Sequence, residues 1–300
     1  MGVTSTLPAS GTRAMLTLPR LALASVIVNV IIVVTGGAVR LTGSGLGCPT
    51  FPSCGDGSLI PTRAFGVHGI IEFTNRQLTF VVVAVVIATL VVAVLDRREI
   101  RLALLLAASI PAQALLGGIT VLTHLNPWTV AAHFMLSMVI IAVAFALWWR
   151  VSDHSSVPVS PPVRLAGRLI TALTVVVLIL GTVVTGSGPH AGDADTSGKV
   201  HRTGLDVGSM SQLHADAVML LIGVSIGFAV LLGATAAART LQSAAWLLVA
   251  VELSQGLIGF VQYFTHLPAV LVGLHMLGAC LVWLAALAVA WRTSSVKASN

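Results

Sequence analysis

Long apolar segments alternate with short polar ones along the whole chain of 300 residues. An apolar stretch of roughly 20 residues is needed to cross a bilayer as a helix, because each residue advances a helix by only about 1.5 Å. Eight segments reach this length. The pattern therefore predicts eight membrane-spanning helices, at about 21–39, 68–95, 102–122, 128–149, 168–186, 211–234, 243–263 and 268–291.

The apolar pattern also contains a duplication. Residues 113–133 align without a gap with residues 255–275 and share eight identities in 21 positions. The sequence Val-Val-Thr-Gly that ends the first segment at 33–36 reappears at the end of the fifth, at 183–186. We therefore expect an all-α integral membrane protein made of two pseudo-symmetric four-helix bundles. The expected divisions are residues 1–150, an inner linker at 151–167, and residues 168–300.

The loops between the predicted helices differ in length and composition. Two outer loops, at about 40–67 and 187–210, are long and rich in Gly, Pro, Ser and Thr, and we expect them to lie over the outer end of the bundle as lids. The inner linker contains Pro158, Pro161 and Pro162, which are expected to interrupt helical structure there.

Composition and charge agree with a membrane protein. The chain is 56% hydrophobic and 9% charged, and its mean hydropathy is +0.99. With the N-terminus inside, eleven of the 16 Lys and Arg residues lie on the inner side, so both termini are predicted to be cytoplasmic in a cell membrane. The net charge of +6 reflects this bias in the loops. Nucleic-acid binding is excluded, because no basic patch interleaved with aromatic residues occurs.

Two cysteines lie in the first long loop. Cys48 and Cys54 are expected on the oxidising side of the membrane, where disulfides form. Such a disulfide could act as a staple of the loop or as an exchangeable redox pair, and the sequence leaves both interpretations open. Cys280, in the middle of the eighth segment, is expected to be a small core residue.

Three histidines within the helices are candidate metal ligands. His133 and His275 occupy matching positions in the repeat, and His214 lies near the start of the sixth segment. A histidine in a membrane helix is also often a hydrogen-bonded packing residue. Because two imidazoles that project from neighbouring helices toward one axis can hold a haem iron, His214 and His275 form the best candidate pair.

The first half departs from this symmetry. Its counterpart of His214 is Asn75, so His133 is the one obvious ligand there. His68 lies seven residues earlier on the same face, about 10 Å further out, too far to replace a ligand at position 75. Glu72 and Arg76 are spaced to form an ion pair on one helix face. Glu72 is also a candidate proton acceptor beside a cofactor.

Other polar residues are expected to have simpler roles. Gln113, Gln255 and Glu252 are predicted to form hydrogen bonds between helices. His124 and His266 fall in short outer turns and are expected at the surface. The second long loop contains a cluster of polar residues, for which a solvated loop is the preferred interpretation and a metal site the alternative. The cluster comprises His190, Asp193, Asp195, His201 and Asp206. Asp216, just past His214, is expected either to act near the site or to face the loop.

Several of these motifs together resemble the haem A synthase family of membrane enzymes, which convert haem O to haem A for terminal oxidases. The resemblance covers nearly the whole chain, including the duplication. It is carried by the helical histidines and by four motifs: Val-Val-Thr-Gly-Gly-Ala-Val-Arg-Leu-Thr-Gly-Ser-Gly-Leu-Gly-Cys-Pro at 33–49, Glu-Phe-Thr-Asn-Arg at 72–76, and Gln-x-x-x-Gly at 113–117 and 255–259.

The resemblance implies two haem sites. A cofactor haem b would be held by His214 and His275 in the second half, and the substrate haem O would be reached by His133 in the first. Glu72 would assist oxidation of the ring methyl to a formyl group through successive hydroxylations, and Arg76 would orient Glu72 or neutralise a carboxylate. Cys48 and Cys54 stand in the place of the paired loop cysteines of one branch.

The resemblance also implies binding partners. Expected partners are haem O, the haem O synthase that supplies it, membrane lipid and a second copy of the chain.

The family's motif commonly reads Glu-x-x-His-Arg, whereas this chain has Asn75 at the histidine position. The substrate iron would then be five-coordinate through His133, or Asn75 would hydrogen-bond to a water on it. The alternative function is a dihaem b-type membrane subunit that transfers electrons without changing its haem.

Overall fold

The computed structural model describes residues 17–47, 50–51, 53, 66–152, 154, 158–190, 192–193 and 201–294. Its regular structure there is entirely helical apart from one isolated β-bridge. All eight helices are long and apolar enough to cross a membrane, which confirms the predicted fold class. They are α1 (Leu18–Leu41), α2 (Gly66–Leu95), α3 (Ile100–Leu122), α4 (Pro127–Val151), α5 (Pro161–Ser187), α6 (Val207–Ala234), α7 (Arg239–Phe264) and α8 (Ala269–Thr293).

The helix starts differ most from expectation at α5, by seven residues, and at α6 and α7, by four residues each. The linker predicted at 151–167 was too long, because α5 already begins at Pro161. A proline in the first turn has no intrahelical hydrogen bond to lose, so it begins a helix as readily as it interrupts one. α6 begins four residues earlier than predicted, after Asp206. This residue caps the helix by accepting hydrogen bonds from Ser209, which lower the pKa of Asp206.

Each set of four consecutive helices forms a ring. In the first ring α1 and α3 each pack against α2 and α4, and in the second α5 and α7 each pack against α6 and α8. Among the described helices, α2 makes no backbone contact with α4, and α6 makes none with α8. The expectation that α6 and α8 are neighbours was wrong. They lie diagonally across the ring, so that their side chains meet on its axis.

The two rings share one interface, formed by α1 and α4 on one side and α5 and α8 on the other. Gly37 of α1 lies against Met276 of α8, so closely that a Cβ at this position would clash with the methionine sulfur. Trp283 of α8 donates its indole N–H to the carbonyl of Met138 on α4 at 2.9 Å. Cys280 is fully buried in the same apolar cluster, which confirms its expected role as a core residue.

The outer end of the bundle is defined as the end at which α1, α3, α5 and α7 finish. The described parts of the two long loops pair with each other there, through the bridge between Ser44 and Asp193 and a bond from the Gly45 N–H to the Gly192 carbonyl at 2.7 Å. His124 and His266 are exposed in left-handed turns at this end, which confirms their predicted placement. That the outer end faces away from the cytoplasm stays a prediction.

Candidate functional site

His214 and His275 come together on the axis of the second ring. Each lies about two helical turns below the outer end, and their ring centroids are 6.5 Å apart with planes at 70°. The Nδ1 atom of each ring is buried without a hydrogen-bond partner. When two imidazoles bind the same metal ion from opposite sides, each through a nitrogen at about 2 Å, their ring centres lie roughly 6 Å apart. The pair therefore fits a single metal ion between α6 and α8.

Glycines on the flanking helices leave room for these rings. A Cβ built on Gly181 of α5 would lie 3.3 Å from Cε1 of His214, and one built on Gly259 of α7 would lie 3.2 Å from Cε1 of His275. The side-chain amide of Gln255 donates to the backbone carbonyl of His275 at 2.7 Å. The Gln-x-x-x-Gly motif thus fixes the backbone of the histidine with its first residue and accommodates the ring with its last.

The first ring repeats this arrangement around His133. A Cβ on Gly117 would lie 3.0 Å from Cε1 of His133, and Gln113 donates to the His133 carbonyl at 3.1 Å. The Nδ1 atom of His133 is again buried without a partner. These bonds, together with that from Ser225 to Glu252 at 2.9 Å, confirm the hydrogen bonds predicted between helices.

Asn75 stands on α2, on the opposite side of the first ring from His133. Its Nδ2 atom lies 4.0 Å from the position that a Cβ atom would occupy if one were added to Gly36 of α1. Its Oδ1 atom is buried without a hydrogen-bond partner. Buried polar atoms are nearly always bonded, so such atoms mark a place where a ligand or water belongs. The first ring therefore offers one imidazole and one amide where the second offers two imidazoles.

Glu72 lies one turn outward from Asn75 and is 5% exposed. It accepts hydrogen bonds from Arg76, at 3.1 Å from Nε and 2.5 Å from Nη2. The expected ion pair is thus present. The equivalent position in α6 is Ser211. The second ring therefore carries no carboxylate at this position.

Arg76 also connects Glu72 to the first outer loop. Its guanidinium group donates to the carbonyls of Thr50 and Ser53 at 3.3 Å and lies 6.0 Å from the ring centroid of Phe51. Phe51 itself packs against Gly118 of α3, where a Cβ would clash with the ring. The predicted disulfide between Cys48 and Cys54 belongs to this loop, but both cysteines lie outside the described residues.

The remaining candidates do not join either site. His68 is hydrogen-bonded to Ser44 at 3.0 Å, and His190 to the carbonyl of Leu267 at 2.9 Å. Asp216 is exposed and accepts a hydrogen bond from Gln212 at 2.7 Å, so it faces away from the ring axis. Asp195 lies outside the described residues. The part of the chain that the structure describes contains no group of three or more His, Cys, Asp or Glu residues placed to hold a metal ion.

Comparison with known proteins identifies the family. The model of the family described as cytochrome oxidase assembly protein matches residues 59–287, about three quarters of the chain. The chain belongs to this family. The match begins ahead of α2 and ends within α8, so it includes all the residues that carry the two sites: Glu72, Asn75, Arg76, His133, His214 and His275.

One relative has a more specific name. A protein of Exiguobacterium sibiricum named heme A synthase is 34% identical over 157 residues. The alignment covers 49% of this chain and 52% of the relative, so it spans about half the length of each.

Sequence reasoning missed the spatial role of the glycines. Gly117 and Gly259 were visible as repeated residues, but nothing along the chain indicated that each faces the histidine ring 16 residues later. The loop contacts of Arg76 and Phe51 left no signal in the sequence. They join residues that are 23 to 67 positions apart and depend on how the loop folds back onto α2 and α3.

Proposed function

We propose that this protein is a haem A synthase, which oxidises a ring methyl of haem O to a formyl group through successive hydroxylations. The observation that carries the proposal is the difference between the two rings. One offers two imidazoles on its axis, and the other offers His133 alone opposite Asn75, with the buried carboxylate of Glu72 one turn away. Membership of the cytochrome oxidase assembly family and the named relative support the same function.

The second ring is proposed to hold the cofactor. His214 and His275 would bind the iron of haem b, in keeping with the separation of their rings on the axis. Haem b would supply one-electron transfer between the substrate and an external acceptor. Gln255 and Gly259 would keep the His275 ring in place, since one anchors its backbone and the other borders the ring.

The first ring is proposed to hold the substrate between α2 and α4. His133 would bind the substrate iron on one side, and the amide of Asn75 would hydrogen-bond to a water on the other. Glu72 would accept the proton that leaves the hydroxylated methyl group. The two hydrogen bonds from Arg76 would hold the carboxylate of Glu72 in a fixed position for this role. The loop bonded to Arg76 would help to keep bulk water out.

The wider setting is proposed along the same lines. Helices α1 to α4 would form the substrate half and helices α5 to α8 the cofactor half, in a plasma membrane with cytoplasmic termini and the haems near the outer face. Cys48 and Cys54 would form a disulfide, and a haem O synthase would deliver the substrate.

Analysis of extracted haems tests the function directly. Membranes that contain the protein and are supplied with haem O should yield hydroxylated and formylated haems by mass spectrometry, and purified protein should contain haem b. Membranes without the protein serve as the control. Recovery of only unmodified haem O and haem b would contradict the proposal and favour the electron-transfer alternative.

Replacement of Asn75 by histidine tests the ligand set of the substrate site. Since His133 would then face a second imidazole across the ring, most of the bound haem O should change from high spin to low spin. Absorption and electron paramagnetic resonance spectra would measure the change, with Asn75→Gln as the control. An unchanged spin state in the Asn75→His protein would mean that position 75 does not face the substrate iron.

A further inference from the structure

Two arginines from different halves of the chain meet at the outer end of α5. Arg40, in the last turn of α1, donates from Nη2 to the carbonyl of Thr185 at 3.2 Å and from Nε to the carbonyl of His190 at 3.0 Å. Arg202 donates from Nη2 to the same Thr185 oxygen at 3.0 Å. Two positive charges therefore share one neutral acceptor, and they repel each other unless an anion lies nearby.

Neither arginine forms an ion pair with a carboxylate of the described residues. The ion pairs between described residues are Arg76 with Glu72 and Arg150 with Glu99. Burial lowers the pKa of Arg202, because partial removal from water disfavours the charged guanidinium group. An anion bound beside both arginines would remove this penalty and the repulsion between them.

The arginines lie one helical turn outward from the histidine pair. On α5, Thr185 follows Gly181 by four residues, which is about 6 Å along the same helix face, and Gly181 borders the ring of His214. On α1, Arg40 follows Gly37 by three residues, and Gly37 packs against Met276, the chain neighbour of His275.

We propose that Arg40 and Arg202 bind the carboxylate groups of the porphyrin that His214 and His275 hold. A haem carries both of its propionates on one edge, and a guanidinium group binds a carboxylate through parallel N–H bonds that match its shape. The assignment rests on the proposed function and adds to it. The first half of the chain supplies a cation, Arg40, to the cofactor site of the second.

The experiment compares haem b with its dimethyl ester, in which both carboxylates are neutral. Protein produced under haem limitation is titrated with each, and binding is followed by the low-spin spectrum of iron with two histidine ligands. The unaltered protein should bind haem b roughly tenfold or more tightly than the ester, as expected for hydrogen bonds between charged groups. The Arg40→Gln, Arg202→Gln double variant should lose this preference.

Three controls keep the result specific. Arg239→Gln removes one positive charge from an exposed position at the inner end of α7, and it should keep the preference for haem b. If the double variant does not fold, Arg202→Gln alone should still reduce the preference, because Arg202 is only partly buried. Arg40→Lys, which keeps the charge but loses the paired geometry, should reduce it in part.

Each contrary outcome has a separate meaning. Equal affinity of the unaltered protein for both haems would overturn the assignment while leaving the proposed function intact. If the arginines have a purely structural role, their replacement would weaken the binding of both haems alike and leave the ratio of the two affinities unchanged. That result would also overturn the assignment. Loss of bound phosphatidylglycerol in the variants, detected by native mass spectrometry with the haem ratio unchanged, would assign the arginines to lipid head groups instead. Failure to bind either haem through two histidines would overturn the proposed function itself.

Discussion

Substitution of alanine for His275 should remove haem b from the purified protein. The imidazole supplies one of the two proposed ligands on the ring axis, and its ring centroid lies 6.5 Å from that of His214. The thioether of the adjacent Met276 packs against Gly37 of α1 instead. Residues that only hydrogen-bond to a metal ligand commonly contribute about 10- to 100-fold to metal affinity, so loss of the ligand itself should weaken haem binding by more than about 100-fold. Little haem should then stay bound through purification. The pyridine haemochrome spectrum measures the haem content per mole of protein.

His266→Asn is the matched control for this experiment. His266 is the repeat counterpart of His124, lies in an exposed turn with φ of 63°, and has no contact with the ring axis. Asparagine tolerates this left-handed conformation, so the substitution should leave both the fold and the haem content unchanged. Full haem content in His275→Ala, with an unaltered circular dichroism spectrum, would show that the ligand assignment is wrong.

Replacement of Glu72 by glutamine should stop product formation while haem b stays bound. The amide keeps the size of the side chain but cannot accept a proton, and proton transfer by a positioned group typically contributes about 100- to 10,000-fold to a rate. The rate of formation of hydroxylated and formylated haem should fall by this factor, as measured by mass spectrometry of haems extracted over time. The haem b spectrum of the same samples should be unchanged.

Glu99→Gln is the control for loss of a paired carboxylate. Glu99 pairs with Arg150 at 3.4 Å at the inner end, far along the chain from either proposed site, and a partly exposed pair of this kind contributes little to stability. Its replacement should leave the conversion rate unaltered. Unchanged conversion in Glu72→Gln itself would exclude Glu72 as the proton acceptor.

The fold could be predicted almost entirely from the sequence. The length and polarity of a segment are enough to predict a membrane helix, because the backbone N–H and C=O groups in lipid must form their hydrogen bonds within the segment. The duplication then indicated that His133 and His275 occupy matching places, and that Gln113 and Gln255 would have matching roles. The start of α5 was placed seven residues too late, since a run of prolines can either precede a helix or begin it.

The candidate residues themselves were also visible in the sequence, through residue type and spacing. Glu72 and Arg76 stand four residues apart, which sets them on one helix face and made their ion pair predictable. The departure at Asn75 could be found by aligning the two halves and by the resemblance, without any coordinates.

The sequence by itself therefore determined which helices form and which residues repeat, because both depend on local polarity and on comparison along the chain. Only the tertiary structure decided that α6 and α8 face each other diagonally, which brings His214 to His275. It also decided that Arg40 and Arg202, 162 positions apart, meet at Thr185. Contacts between distant segments depend on how helices and loops pack, and the sequence pattern of a single helix does not specify which helices lie beside it.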